Sequence, residues 1–335
     1  MSVESILATL SPKLRGKLGT ADELTTPEVA EFPVLGLNRA LGGGLRYGRQ
    51  HLVYGNKSAG KSSLLMELIA NEQCKGKTAA WVDVEQTYDP DWAGRLGVDN
   101  SKLIVSNARS INEMVDVGVE LMRAKADILV IDSISTLLPA IYFEKDSDNL
   151  KELVDTGQIG AEAKDMARAV KMLNYANNQG HGTLLVLISQ TRNKIGQMHA
   201  SIQPTGGKAV QFYSSTIIQL FSSESENQAI KGKIHVGDKI LEEKVGRKVR
   251  WDLKFSKTSP AFQSGDYDFY FRGDTVGVDP VADIVDTAIG LGIIKQGRSW
   301  YTVEGEQIQG RRDLLDAVRN SPELQAKLAG KISEV

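Results

Sequence analysis

The stretch Leu52–Ile69, "LVYGNKSAGKSSLLMELI", decides how this chain is read. An apolar run stops at a glycine. A short polar loop follows, then a second glycine, a lysine, two serines and another apolar run. Gly55, Gly60, Lys61 and Ser62 fit the pattern G-x-x-x-x-G-K-[ST], and they sit in the context it requires, between a strand and a helix. Glycines let successive backbone N–H groups turn inward around a phosphate with no Cβ in the way. A helix beginning near Lys61 adds its positive end. In this reading Lys61 reaches the β- and γ-phosphates and the Ser62 hydroxyl ligates Mg²⁺. A chance glycine-rich turn is the bland alternative, and the strand–loop–helix context argues against it.

Outward from the loop, apolar strand-like runs alternate with helical patterns. "HLVYG", "TAAWVDVE", "DILVIDS", "TLLVLIS" and "STIIQLF" predict strands, and stretches near 62–74, 111–125 and 161–178 predict helices. Near-continuous apolar strands separated by helices predict a parallel sheet covered on both faces. "GRKVRWDLKFSK" and "DYDFYFR" predict half-exposed antiparallel strands, and after about Gly273 the chain turns helical again in a small terminal unit. Val3, Ile6, Leu7, Leu10 and Leu14 predict one short amphipathic helix over residues 2–17. A stripe that short must be covered by its own domain or by a neighbouring subunit.

Bulk properties set limits. The 335 residues and 41% hydrophobic content suit one large domain with small appendages. A formal net charge of −2 provides no global field for polyanions, so any nucleic-acid contact must be local. A single cysteine, Cys74, excludes a disulfide within the chain and fits a reducing compartment. The four histidines lack metal-ligand spacing. With no spanning apolar run and no basic leader in "MSVESILATL", a cytoplasmic location is expected.

Two carboxylates complete the nucleotide chemistry. Asp132 ends the strand "DILVIDS", and a carboxylate at the tip of a parallel strand faces the ligand crevice. A helix cap is the usual explanation for such an aspartate; beside a phosphate loop, Mg²⁺ binding is favoured. Glu85, at the end of "TAAWVDVE", can polarise an attacking water, or it can be a surface residue at a strand end.

"YGNKSAGKSS", "VDVEQTYDPDWAGRLGV", "ILVIDSISTLLP", "LLVLISQTRNKIG" and "TGGKAVQFY" occur in the order and spacing of bacterial RecA recombinases, and "GIIKQGRSWYTVEGEQIQGRRD" is similar to their C-terminal domain. The chain resembles a phage or otherwise divergent member from about Phe32 to its end, most weakly over 133–160 and 222–247. The resemblance implies an α/β fold: a RecA-like P-loop ATPase core with a mostly parallel central sheet (32–273), an N-terminal oligomerisation helix (1–31) and a small α/β C-terminal domain (274–335). It implies an ATP- and Mg²⁺-dependent ATPase that forms helical filaments on single-stranded DNA, pairs it with homologous duplex DNA and exchanges strands. Carried over by position, Gly55, Asn56, Lys57, Ser58, Ala59, Gly60, Lys61, Ser62 and Ser63 form the ATP loop, and Ser62 and Asp132 hold the metal. Glu85 is the catalytic glutamate, Asp89 and Trp92 hold adenine, and Gln190 senses the γ-phosphate. Trp92 stands where the family usually has tyrosine; stacking needs only a flat π face.

The sensor leads into DNA binding. A glutamine at a strand end can bond a γ-phosphate oxygen and lose that bond after hydrolysis. The polar stretch beyond it, "TRNKIGQMHASIQPTGGK", resembles the family's second DNA loop. From Met166 to Ser223 there is no Asp or Glu, while Arg168, Lys171, Arg192, Lys194 and Lys208 are present. That excess suits phosphate contacts. Burial explains the missing acids of 183–189 but not those of the polar loop. Ile195 can wedge between base steps, and Gly206 and Gly207 close the loop. The first loop, between Pro139 and Lys164, is longer and more acidic than usual. Glu144, Asp146, Asp148, Glu152 and Asp155 are expected to face solvent, and Gln158, Ile159, Gly160 and Lys164 to face DNA.

Subunit contacts follow from the resemblance as well. In "LKFSKTSPAF", Lys257 matches the second of two lysines that reach the neighbour's γ-phosphate, and Phe255 stands in place of the first. Phe212 resembles an interface residue, and a buried core phenylalanine fits its spacing equally well. The C-terminal clusters "KQGRSWY" and "GRRD" suit a gateway for duplex DNA. Two other functions stay open at this point: a nucleotide-gated DNA-coating scaffold with little hydrolysis, and a hexameric helicase of the same fold.

Overall fold

The computed structural model describes residues 2–15, 20, 26–143, 161–192, 203–222, 225, 228–236, 239–273 and 276–334. The N-terminal stripe is not one helix. It forms α1 (Val3–Thr9) and α2 (Pro12–Arg15), separated at Leu10, whose backbone is extended. Pro12 has no N–H with which to continue the α1 ladder, and it disfavours the α region at Ser11, so the stripe cannot run on as one helix. Val3 and Ile6 lie exposed, and no α1 residue joins a core cluster.

Next come β1 (Val29–Ala30), α3 (Leu35–Leu41) and β2 (Leu45–Arg46), with β1 and β2 paired antiparallel. The alternating core follows as β3 (Gln50–Gly55), α4 (Lys61–Cys74), β4 (Ala79–Asp83), α5 (Pro90–Arg95), β5 (Leu103–Ser106), α6 (Ile111–Arg123), β6 (Ile128–Asp132), α7 (Ala161–Gln179), β7 (Leu184–Arg192), β8 (Gln203–Pro204), α8 (Gly207–Tyr213) and β9 (Thr216–Ser222). Strands β10 (Ala229–Val236), β11 (Lys239–Ser256), β12 (Ser264–Tyr270) and β13 (Gly277–Val278) complete the sheet. Its order is β13-β12-β11-β9-β3-β7-β6-β4-β5, with β10 on β11 and β8 on β7. The pairs from β9 to β5 are parallel; β11, β12 and β13 add antiparallel partners to the same sheet. The antiparallel strands expected at 246–257 and 266–272 therefore extend the main sheet. The sequence reading missed β5, the edge strand on the other side, where Ile104 and Val105 stay exposed.

Alternation along the strands builds two cores. Val53, Trp81 and Val130 pack with Leu64, Leu65 and Leu68 of α4 on one face. Leu52, Val82 and Leu129 pack with α6, α7 and Val210 of α8 on the other. A third cluster lies in the C-terminal part: α9 (Pro280–Gly290), β14 (Lys295–Gln296), β15 (Trp300–Val303), β16 (Glu306–Gln309), α10 (Arg311–Arg319) and α11 (Pro322–Glu334). It is joined to the core at α3. The N-cap position of α3, Val34, offers no side-chain acceptor, and the buried Asp283 of α9 accepts the Leu35 N–H instead.

Candidate active site

Neighbouring strands β3, β7, β6 and β4 run in parallel and end at one edge of the sheet, where Gly55 pairs with Gln190 and Asp83 with Asp132. Ligands of open α/β sheets bind in the crevice outside these carboxyl ends.

The phosphate loop is shaped by its glycines. A Cβ on Gly55 would lie 2.2 Å from the Leu220 carbonyl oxygen, and Gly60 has φ +85°. Helix α4 begins at Lys61 with no side-chain cap and no acid in its first turn, so its leading N–H groups lack a side-chain acceptor. Asn56, Lys57 and Ser58 are exposed, and Ala59 is buried. Lys61 is buried too, and its Nζ donates to the carbonyls of Gly55 (3.2 Å) and Asn56 (3.0 Å). Burial lowers its pKa, opposed by the charges of Asp132 and Glu85. Uncapped N–H groups and an enclosed ammonium fit a polyphosphate.

The Ser62 hydroxyl donates to Asp132 Oδ2 at 2.6 Å. Burial raises the Asp132 carboxyl to about 6, and the nearby Glu85 charge pushes the same way. Two adjacent hard oxygens fit Mg²⁺. Among the described residues no group of three His, Cys, Asp or Glu side chains converges, so the remaining ligands would be phosphate and water.

Glu85 lies two residues beyond β4. Its Oε1 accepts hydrogen bonds from Ser133 Oγ (2.6 Å) and from Gln190 Nε2 (2.9 Å). The expected sensor thus touches the expected base. Asp83, buried and missed in the sequence reading, accepts from the N–H groups of Thr87 (3.1 Å) and Tyr88 (2.8 Å) and pins the turn that carries Glu85. Ser133 was missed in the same way; its one signal was a hydroxyl directly after Asp132.

The sensor strand is wired to the second loop. Gln190 donates its N–H to Ser135 Oγ (2.8 Å) and accepts from Thr205 N–H (3.1 Å). Thr191 pairs with Pro204 and Arg192 with Gln203, so β7 and β8, which flank residues 193–202, are tied to each other. Thr205 Oγ1 bridges Ser135 (2.7 Å) and Ser189 (2.8 Å).

On the adenine side, Asp89 Oδ1 caps α5 by accepting from Asp91 N–H (2.9 Å) and Trp92 N–H (3.2 Å), which leaves Oδ2 outside the cap. Trp92 donates from Nε1 to Ser63 Oγ (3.2 Å) and tilts against Phe269, and the Arg95 guanidinium lies 5.3 Å from its ring. That contact ties the expected adenine platform to the phosphate-loop helix.

Of the expected DNA residues, Lys164, Arg168 and Lys171 are exposed along α7, and Arg168 makes a loose pair with Asp165 at 3.7 Å. Gly206 (φ +89°) leads into α8, followed by Gly207 and an exposed Lys208. Arg192 ends β7. Gln158, Ile159, Gly160, Lys194, Ile195 and the five acids of the first loop lie outside the described residues.

Phe212 is 76% exposed, which overturns a core role. It lines a groove of about 940 Å³ with Gln203, Gln211, Lys254, Phe255 and Lys257. Lys257 follows Ser256, which pairs with Thr216, which in turn pairs with His51. His51 precedes Gly55 by four residues, roughly 13 Å of strand. Lys257 therefore lies toward the opposite end of the sheet from its own phosphate loop.

A parallel sheet with a glycine-lysine loop leading into a helix, and with Asp132 and Glu85 near the strand ends, has the build of a P-loop nucleotide hydrolase. The chain matches the RecA N-terminal domain family over residues 16–276. Proteins named "Protein RecA" are similar to it along most of its length. That of Frankia casuarinae is 32% identical over 326 residues, covering 96% of this chain and 88% of the relative. That of Thermus aquaticus is 32% identical over 340 residues, covering 99% and 94%. That of Bifidobacterium breve is 33% identical over 309 residues, covering 91% and 73%. The chain belongs to the RecA family.

Proposed function

We propose that this chain is a DNA-dependent ATPase and recombinase, which assembles as an ATP-gated filament on single-stranded DNA and pairs it with homologous duplex. Its ligands are ATP and Mg²⁺. We further propose a division into an assembly segment (1–31), an ATPase core (32–273) and a C-terminal domain (274–335). Among the described residues no helix is long and apolar enough to cross a membrane, and we assign the protein to the cytoplasm.

Lys61 and the α4 N–H groups bind the β- and γ-phosphates. Ser62 and Asp132 would hold Mg²⁺, which when bound neutralises phosphate charge. Glu85 orients the attacking water and draws on its proton. Asp89 and Trp92 take the adenine. Lys257, remote from its own loop, serves the γ-phosphate bound by the next protomer, with Phe212 in the same contact. Lys164, Arg168, Lys171, Arg192, Lys194, Lys208 and the loop residues Ile159, Gly160, Ile195, Gly206 and Gly207 take the DNA.

One observation carries the gating: the Gln190 side chain bonds Glu85 while its backbone holds Thr205 and the β7–β8 pairing. When a γ-phosphate draws the amide off Glu85, the base is released and the strand that anchors the second loop is pulled. Single-strand affinity measured with ATP, with ADP and without nucleotide tests this. It should be highest with ATP, and Gln190→Ala should level the three values; an affinity blind to nucleotide in the unaltered protein rejects the gate.

A further inference from the structure

The shared-site reading leaves one cation short, because Phe255 stands in place of a lysine. We propose that Lys254, which a β-bulge leaves on the same face as Lys257, supplies the missing second positive charge to the γ-phosphate held by the next protomer. The proposal rests on the reading of Lys257 as a residue acting across the protomer contact.

In a regular strand Lys254 would point away from the face shared by Phe255 and Lys257, since side chains alternate. The β9–β11 register breaks at this point. Leu253 pairs with Ile218, and Phe255 already pairs with Ile217, so Lys254 is an extra residue. Lys254 keeps to the face of Asp252, which pairs with Gln219, and the extra residue moves Phe255 and Lys257 onto that same face. Lys254, Phe255 and Lys257 accordingly all line the one groove. Phe255 is 39% exposed there and gives the groove wall an apolar surface, not a charge.

Lys254 is held ready by a partner that can release it. Its Nζ bonds Asp252 Oδ2 at 2.8 Å and lies 5.7 Å from the Phe221 ring. Asp252 Oδ1 also accepts from Arg250 Nε at 2.9 Å. If Lys254 swings to an incoming phosphate, Arg250 still compensates Asp252, so the move strands no bare carboxylate. A second ammonium on a γ-phosphate stabilises the charge that develops during transfer.

The test is DNA-stimulated ATP hydrolysis by the full chain. Lys254→Ala should lower kcat on the order of tenfold or more with little change in KM for ATP. Mixing it with Glu85→Gln, which has an intact Lys254 but a disabled base, should give more turnover than the two proteins give separately, because the lysine acts on a neighbour's nucleotide. Phe255→Lys should restore turnover to Lys254→Ala. Asp252→Asn should leave turnover near normal, whereas a purely structural salt bridge would make it as damaging as Lys254→Ala. Full activity of Lys254→Ala, or no gain on mixing, overturns the proposal. Lys257→Ala separates the two ideas. If it is impaired and complements on mixing while Lys254→Ala does neither, only Lys254 loses its role; if neither variant is impaired, the shared-site reading falls as well.

Discussion

The loop around Lys61 and the groove around Lys257 are both proposed to offer lysines to phosphate, yet they are built in opposite ways. Lys61 is enclosed, its ammonium already seated on two loop carbonyls, and every neighbour it needs comes from its own chain. Lys257 and Phe212 stand exposed on the groove. A binding site can be finished within one protomer and rigid, while a site that must sense a neighbour has to stay unfinished until the neighbour arrives. ATP binding should therefore be indifferent to protein concentration, and hydrolysis should depend on it.

The largest test of that contrast is Lys61→Ala. It should abolish ATP-dependent DNA binding, read by filter binding or anisotropy, and undiminished binding would refute the loop assignment. Glu85→Gln comes next: turnover should fall about 10²- to 10⁴-fold while ATP-loaded filaments persist on DNA in electron micrographs. Normal hydrolysis would remove Glu85 as the base. Replacing Arg192 and Lys194 by alanine should weaken single-strand binding and flatten the slope of log K against log salt by about 1.4. An unchanged slope would move the DNA path elsewhere. On the open side, Phe212→Ala should leave ATP binding intact and raise the protein concentration needed for half-maximal turnover, by an interface loss of about 1–2 kcal/mol.

The last test lies on the enclosed side and concerns stability alone. Glu67, two turns into α4, is buried, with Oε1 on the Val278 N–H (2.8 Å) and no partner for Oε2 among the described residues. Burial raises its pKa from 4.5 to about 7. The folded protein thus holds this proton more tightly than the unfolded chain does. The resulting stability is present below about pH 4.5 and is lost as pH rises through about 7. Glu67→Gln keeps the Val278 bond and removes the loss. Its melting temperature should match that of the unaltered protein near pH 4.5 and exceed it at pH 8, by roughly 2 kcal/mol of stability. Equal curves at both pH values would show that the carboxyl is not buried as a charge.

Much of the candidate site was legible because the proposed chemistry needs fixed residues at strand ends. The loop glycines, Lys61, Asp132, Glu85 and Gln190 follow apolar runs long enough to read as strands, and a parallel sheet gathers such ends. Asp83 escaped because its work is done through backbone N–H groups of a turn, which carry no residue-type signature. Strand β5 escaped because four residues with Ile104 and Val105 exposed give no alternation to detect. The N-terminal periodicity was real, but Pro12 outweighed it locally. The bulge at Lys254 was invisible, since one extra residue shows only against the partner strand.

The cap that Asp283 provides for α3 bears on any shortened version of this protein. Ending the chain after Gly273 would strip the start of a core helix of its acceptor and uncover Leu35, which packs on the C-terminal cluster. A truncated protein that pairs duplex poorly would then be damaged at the root as well as missing a DNA contact. Asp283→Ala in the full-length chain separates the two effects, because it removes the cap and spares the basic surface.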